Sequence, residues 1–242
     1  MRGHRISGRD APYAAEPIIE ISPVDKLLAF SPIIARSHGI NAATVYNYLA
    51  WCCKQMGRWS GTMDTLLTMY PHLSEEKLRT GIHRLLGRDG CLVKREREVN
   101  SYTYTLTDRV KPIKAHSFDP RMAKTYGVLA AAIYDNLVYW IAEDSANGAQ
   151  EPQHYISPFS CQKIHPYATL ISVKRAFHTL RDAGEILCIG RKPGRIPIWS
   201  IPLGQGRLDR WYSLHKDVKF TPKNRHEKTV YKYVPVMDDS DV

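Results

Sequence analysis

Apolar residues recur at helical spacing over Ala42–Met56, where Val45, Leu49, Cys52, Cys53 and Met56 share one side. The run Gly57 to Gly61 ends this helix, and a short helix is predicted over Met63–Met69, closed by Pro71. Ser74 is then a good N-cap, and Glu75 and Glu76 suit the positive end of a helix that turns Leu78, Ile82, Leu85 and Leu86 inward. Asp89-Gly90 stops it. Two strand-like runs follow, Cys91–Glu98 and Tyr102–Thr107, the second alternating with period two as YTYTLT. The same order returns further on. A long helix is predicted over Gly127–Ala142, then a polar loop EDSANGAQEPQ, then a short helix over Pro158–Ile164 ahead of Pro166. Thr169 caps a helix with Val173, Phe177 and Leu180 inward, stopped at Ala183-Gly184. Strands over Ile186–Arg191 and Ile196–Ile201 flank the turn Lys192-Pro193-Gly194-Arg195.

This recurrence is a duplication. Moving the sequence by 88 positions lays Phe30, Pro32, Ala35, Gly39, Ala42, Ala43, Tyr46 and Leu49 on Phe118, Pro120, Ala123, Gly127, Ala130, Ala131, Tyr134 and Leu137. At a shift of 95, Pro71, His83 and Leu85 fall on Pro166, His178 and Leu180. The offset grows because the second copy has a longer loop near residues 143–158. The chain therefore divides into a basic leader or arm (1–25), one module (26–110), a linker (111–117), a second module (118–204) and a basic-aromatic extension (205–242) with an acidic tip, DDSDV. Within the leader, residues 18–22 (IIEIS) read as a short strand or extended arm. Helix, helix, helix, β-hairpin is the order of a winged helix-turn-helix. The expected fold is α+β, mainly α with small β-hairpins: two tandem winged helix-turn-helix modules.

Charge adds a partner. A net charge of +10 and an isoelectric point near 9.4 point to a polyanion, and nucleic acid fits best. The five cysteines are odd in number and show no CxxC, which reads as reduced, buried thiols in a cytoplasmic, DNA-associated protein. No apolar stretch is long enough to span a bilayer, and the N-terminus lacks the apolar run of a signal peptide. There is no Walker loop, HExxH or GxSxG, and the ten histidines are scattered. The expectation is a binding protein with no catalytic residues, cofactor or metal.

The candidate contacts lie on the second helix of each helix-turn-helix and on each hairpin. In the second module Ser172, Lys174, Arg175, His178, Thr179 and Arg181 are outward, with no acid between Thr169 and Arg181. Arginine grips guanine with two hydrogen bonds, and such a face also meets phosphates. In the first module the outward set is Lys77, Arg79, Thr80, His83 and Arg84, together with Glu75 and Glu76. Those glutamates either stabilise the helix end or accept from a cytosine amino group. The hairpin tip at Arg191, Lys192 and Arg195 suits the minor groove or a phosphate clamp, unless it is a solvated turn. Arg95, Arg97 and Asn100 form the weaker first wing. From Thr169 to Leu203 six basic residues face two acids, whereas from Ser74 to Asp108 seven face six, so the second module is expected to supply more phosphate affinity. Tyr46, Tyr134 and Trp140 recur at core-like spacing and are expected to pack rather than stack on bases. The extension carries eight basic residues against three acids over 205–234, interleaved with aromatics, which suits a further DNA-contacting arm or a strand-like piece docked on the modules.

Pro120, Ala123, Gly127-Val128, Ala131, Ile133-Tyr134, Leu137 and Tyr139-Trp140, followed by Pro166, Thr169 and the basic helix ahead of Leu180 and Gly184, resemble winged-helix proteins encoded by phages, prophages and plasmids. Pro32 to Trp51 with Pro71 to Leu92 repeats the pattern more loosely, its Trp one position early. The resemblance covers about residues 26–203. It implies replication proteins or DNA-binding regulators, and the tandem plan is similar to plasmid replication initiators that bind repeated or quasi-symmetric origin sites. The expected function is sequence-specific binding of double-stranded DNA as an initiator. A transcriptional regulator on the same scaffold, or a protein-binding adaptor of a replication or mobile-element complex, are the alternatives. Itself, as a homodimer, and replication proteins are the further partners considered; a membrane is not.

Overall fold

A computed structural model describes residues 27–87, 92–107, 115–146 and 153–202. The leader, the extension from 205 onward, Cys91 and most of the expected linker lie outside the described residues. The chain is α+β, eight helices with small antiparallel sheets among the described residues. The first half runs β1 (Leu28–Phe30), α1 (Pro32–His38), α2 (Ile40–Met56), β2 (Trp59–Gly61), α3 (Met63–Met69), α4 (Glu75–Leu85), β3 (Val93–Arg97) and β4 (Tyr102–Leu106). The second half repeats it as β5 (His116–Phe118), α5 (Pro120–Tyr126), α6 (Val128–Ala146), β6 (His154–Tyr155), α7 (Pro158–Ile164), α8 (Leu170–Asp182), β7 (Leu187–Lys192) and β8 (Ile196–Ser200).

Local chemistry sets these boundaries at matching places in both halves. Pro32 and Pro120 open α1 and α5, where a missing N–H costs nothing. Gly39 and Gly127 then separate the short helix from the long one at φ of 87° and 86°, a region that a side chain disfavours. The two pairs that follow are capped alike. Thr62 and Ser157 accept from the third backbone N–H of α3 and α7, and Ser74 and Thr169 do so for α4 and α8. Each half carries a three-stranded antiparallel sheet, ordered β2-β4-β3 and β6-β8-β7. In both, the strand that precedes the helix pair adds to the outer side of the hairpin's returning strand.

The cores follow the predicted periodicity. Leu78, Ile82 and Leu85 bury one side of α4, and Val173, Phe177 and Leu180 bury the matching side of α8. Tyr46, Tyr134 and Trp140 are buried, so the aromatic stripes pack. Gly81 lets α4 press on α2; a Cβ there would lie 3.3 Å from the Ala42 backbone nitrogen. Two expectations fail. Met56 is exposed, because α2 reaches past the sheet at its last turn. Cys188 is also exposed, on the outer strand β7, unlike the buried Cys52, Cys53 and Cys161.

The linker drawn over 111–117 also needs correction. His116 and Ser117 belong to β5, which pairs antiparallel with β1: Leu28 with Phe118, Ala29 with Ser117, Phe30 with His116. Exchanging each residue for its repeat equivalent, 88 positions away, returns the same three pairs. The halves are thus related by an approximate two-fold axis through the Ala29–Ser117 pair. Side chains repeat this exchange. Phe30 stands edge-on to Tyr167 at 5.2 Å, and its equivalent Phe118 stands edge-on to His72, the equivalent of Tyr167, at 5.3 Å. The core of the first half accordingly continues through Phe118, Ala123, Val128, Ala131 and Ala132 of the second.

Three histidines lie at this junction, His165 fully buried and His72 and His116 half-buried. His165 Nδ1 lies 2.6 Å from the Tyr167 hydroxyl and 3.2 Å from His116 Nδ1, while its Nε2 and both ring nitrogens of His72 meet no partner. Ser117 donates to the buried Asp135 carboxylate at 2.5 Å. Burial pushes His72 and His116 down to about 4, with Asp135 pulling His116 the other way, and holds His165 well below its ordinary 6.5, helped by His116. The folded chain therefore excludes protons that the unfolded chain binds below pH 6.5. Stability is fully present above that pH and falls toward pH 4, by about 1.4 kcal/mol per pH unit for each ring while its unfolded form is charged. Urea midpoints followed from neutral pH to about pH 5 are expected to drop steeply; a flat profile would contradict the burial of these rings.

Candidate nucleic-acid interface

All seventeen residues expected to touch nucleic acid lie among the described residues, and all but the half-buried Ser172 are exposed. On α8 the core positions Val173, Ala176, Phe177 and Leu180 leave Lys174, Arg175, His178, Thr179 and Arg181 on the solvent side. Lys174 and Arg175 meet no carboxylate among the described residues, whereas Arg181 is held by its neighbour Asp182, with Nη2 at 2.7 Å and Nε at 2.9 Å. The helix thus presents two unpaired cations in its first turns.

The matching side of α4 differs in its electrostatics. Glu75 accepts from Arg79 at 2.8 Å through Nε and at 2.5 Å through Nη2, one helical turn on. The paired carboxylate raises Arg79 above its ordinary value. Arg84 is engaged within its own half. Its guanidinium donates to the His38 carbonyl at 3.3 Å, where α1 ends, and covers Gly39, whose missing Cβ leaves it room. That leaves Lys77 as the cation of α4 with no ion pair among the described residues, beside Thr80 and His83. His83 and His178 occupy equivalent exposed positions.

The hairpins also differ. In the second half, Pro193-Gly194-Arg195 makes the tip, with Gly194 at φ 81° and Arg195 at φ 60°. Arg191, Lys192 and Arg195 are all exposed, and Lys192 Nζ sits 3.1 Å from the ring centre of Tyr155 on β6. In the first half Arg95 lies over Tyr102 at 4.8 Å, while Arg97 and Asn100 are exposed. Glu98 closes that turn: it accepts from Thr103 at 2.5 Å and from Ser101 at 3.1 Å, and these bonds hold its carboxyl below the ordinary value. Val99, at the very tip, is 93% exposed.

Both halves therefore follow a capped helix with a hairpin, and the second set carries the freer positive charge. Ile171 was not among the expected contacts. It is 63% exposed, two residues after the cap of α8. The signal lay in the sequence, since residue 171 falls outside the spacing of Val173, Phe177 and Leu180. Among the described residues no group of three His, Cys, Asp or Glu side chains is placed to hold a metal ion, and no helix is long and apolar enough to cross a membrane. No protein-family model, curated protein or solved structure matches the chain.

Arg84 provides a check on this assignment. Arg84→Ala is expected to cost about 0.5–1.5 kcal/mol of stability through the lost bond to the end of α1. Denaturant unfolding reads that loss, and an unchanged midpoint would return Arg84 to the outward set.

Proposed function

We propose that this chain binds double-stranded DNA in a sequence-specific way through two winged helix-turn-helix modules, and that it acts as a replication initiator of a plasmid or phage. In this reading α3–α4 and α7–α8 are the two helix-turn-helix units, α4 and α8 lie in successive major grooves, and the β3–β4 and β7–β8 hairpins are the wings. The observation that carries it is the exposed basic side of α8 together with the exposed basic hairpin tip of the same half, in the order in which the first half has its own helix and hairpin. The excess of 34 Lys and Arg over 24 Asp and Glu supports the same partner.

The two-fold relation adds a prediction about the site. Helices related by a dyad approach a duplex in opposite directions, so their half-sites are inverted, as for symmetric dimers. Because the charges differ, the halves grip unequally. Lys174 and Arg175 each contribute about one unit to the slope of log affinity against log salt, while Arg79, already paired with Glu75, contributes less. No single-chain contact requires a second copy, and an array of copies covers repeated origin sites.

Measuring binding to the DNA that flanks its own gene, across a range of salt, tests this. Steep salt dependence, a slope reduced by about one in Lys174→Ala and Arg175→Ala, and protection of repeated sites are expected. Protection of a promoter alone would favour a regulator. Association with replication proteins that is indifferent to salt, without DNA binding, would favour an adaptor and end the reading.

A further inference from the structure

The two reading helices start in the same register, which makes their first residues comparable one by one. Ser74 caps α4 and Thr169 caps α8; each accepts from the backbone N–H three residues on, Lys77 at 3.4 Å and Ser172 at 3.1 Å. Glu76 and Ile171 therefore hold equivalent places, each second after its cap and 95 positions apart.

The fold accounts for Glu76 only through the positive end of α4, and it leaves Ile171 exposed. At 3.6 residues per turn Ile171 lies roughly 160° around the helix from the buried Val173, and within roughly 60° of Lys174, Arg175 and His178. It is thus the head of the basic stripe, an isoleucine 63% exposed among cations. Glu76 is exposed too. Its neighbour Glu75 is engaged by Arg79, but Glu76 meets no cation among the described residues. A free carboxylate on a helix turned toward a polyanion is repelled, unless it faces an amino donor. An exposed aliphatic group is favourable there only against another apolar group.

The major groove offers one partner of each kind. The C5-methyl of thymine is its apolar group, and the N4 amino group of cytosine is a donor that acidic side chains accept from. We propose that Ile171 and Glu76 are the paired specificity-determining residues of the chain: Ile171 packs on a thymine methyl in one half-site, and Glu76 accepts from a cytosine amino group at the symmetry-equivalent position of the other. This rests on the DNA-binding reading above and deepens it. The frame is symmetric and this pair is not, so the inverted half-sites differ by thymine against cytosine at matching positions. It also assigns the chain a fixed direction on its target, since turning it end for end places Glu76 against a methyl group and Ile171 against an amino group.

Selection from a randomised duplex library with the full chain, in parallel with Glu76→Ile and Ile171→Glu, tests the pairing. The wild-type chain is expected to select thymine in one half-site and cytosine at the matching position of the other. Glu76→Ile shifts that cytosine toward thymine and Ile171→Glu shifts the thymine toward cytosine, each making the site more symmetric. A measurement on the unaltered protein stands beside it: replacing the thymine by uracil in the selected duplex removes only the methyl group and is expected to weaken wild-type binding about fourfold. Unchanged preferences in folded variants, or equal affinity for thymine and uracil, would overturn the pairing while leaving DNA binding intact. Failure to enrich any duplex would instead remove the DNA-binding reading on which it rests.

Discussion

Everything in this molecule hangs on a strand pair three residues long. The pairing of β1 with β5 is too short to hold two halves together through its backbone bonds. What makes it firm is the interlock of rings behind it. Phe30 from the first half reaches Tyr167 of the second, and Phe118 from the second reaches His72 of the first. The two phenylalanines also touch each other, at 6.0 Å between ring centres. Both are fully buried, so separating the halves would expose the largest side chains at the centre of the shared core. The same contact that joins the halves also fixes their two-fold relation, and with it the directions in which α4 and α8 face.

Symmetry is kept at Phe30 and Phe118 but lapses at other buried positions as well as on the outside. Tyr70 and His165 hold equivalent places; Tyr70 donates its hydroxyl to the Val45 carbonyl, while His165 turns to His116 and Tyr167. Gly81 of α4 corresponds to Ala176 of α8, so the first half packs its two helices more closely than the second. On the outer sides the divergence is in charge. Glu75 and Arg79 neutralise each other where the second half has Leu170 and Lys174. Charges counted along the chain already favoured the second half; the ion pair and the folded-back Arg84 widen that difference.

Much of the frame was legible because its signals are local. Proline at the opening turn, Ser or Thr caps, glycine stops and helical spacing placed α3, α4, α7 and α8 and both hairpins close to where they lie. The missed strands share one cause. β1, β2, β5 and β6 span two or three residues each, too few to show a period, and exist only through partners far away in sequence. Reading 111–117 as a linker failed for that reason, since nothing local marks His116 and Ser117 as strand. The histidines were equally invisible: His116 meets His165 and His72 meets Phe118 only where separate segments come together at the dyad. The Glu75–Arg79 pair could have been inferred from its spacing of four, whereas the bond from Arg84 to the end of α1 could not.

Joining two halves in one chain changes what a two-fold frame is able to recognise. A homodimer must present the same side chains on both reading helices, because one sequence makes both. Here the halves are encoded separately, so a substitution on α4 leaves α8 untouched. Phe30 and Phe118 are coupled across the dyad, because each touches a ring of the other half. Exposed positions carry no such coupling. Phe30 and Phe118 are thus identical, whereas the exposed Glu76 and Ile171 differ. A symmetric frame with unlike ends also has an orientation, which a palindromic dimer lacks. That orientation is the physical gain of joining the two halves in one chain.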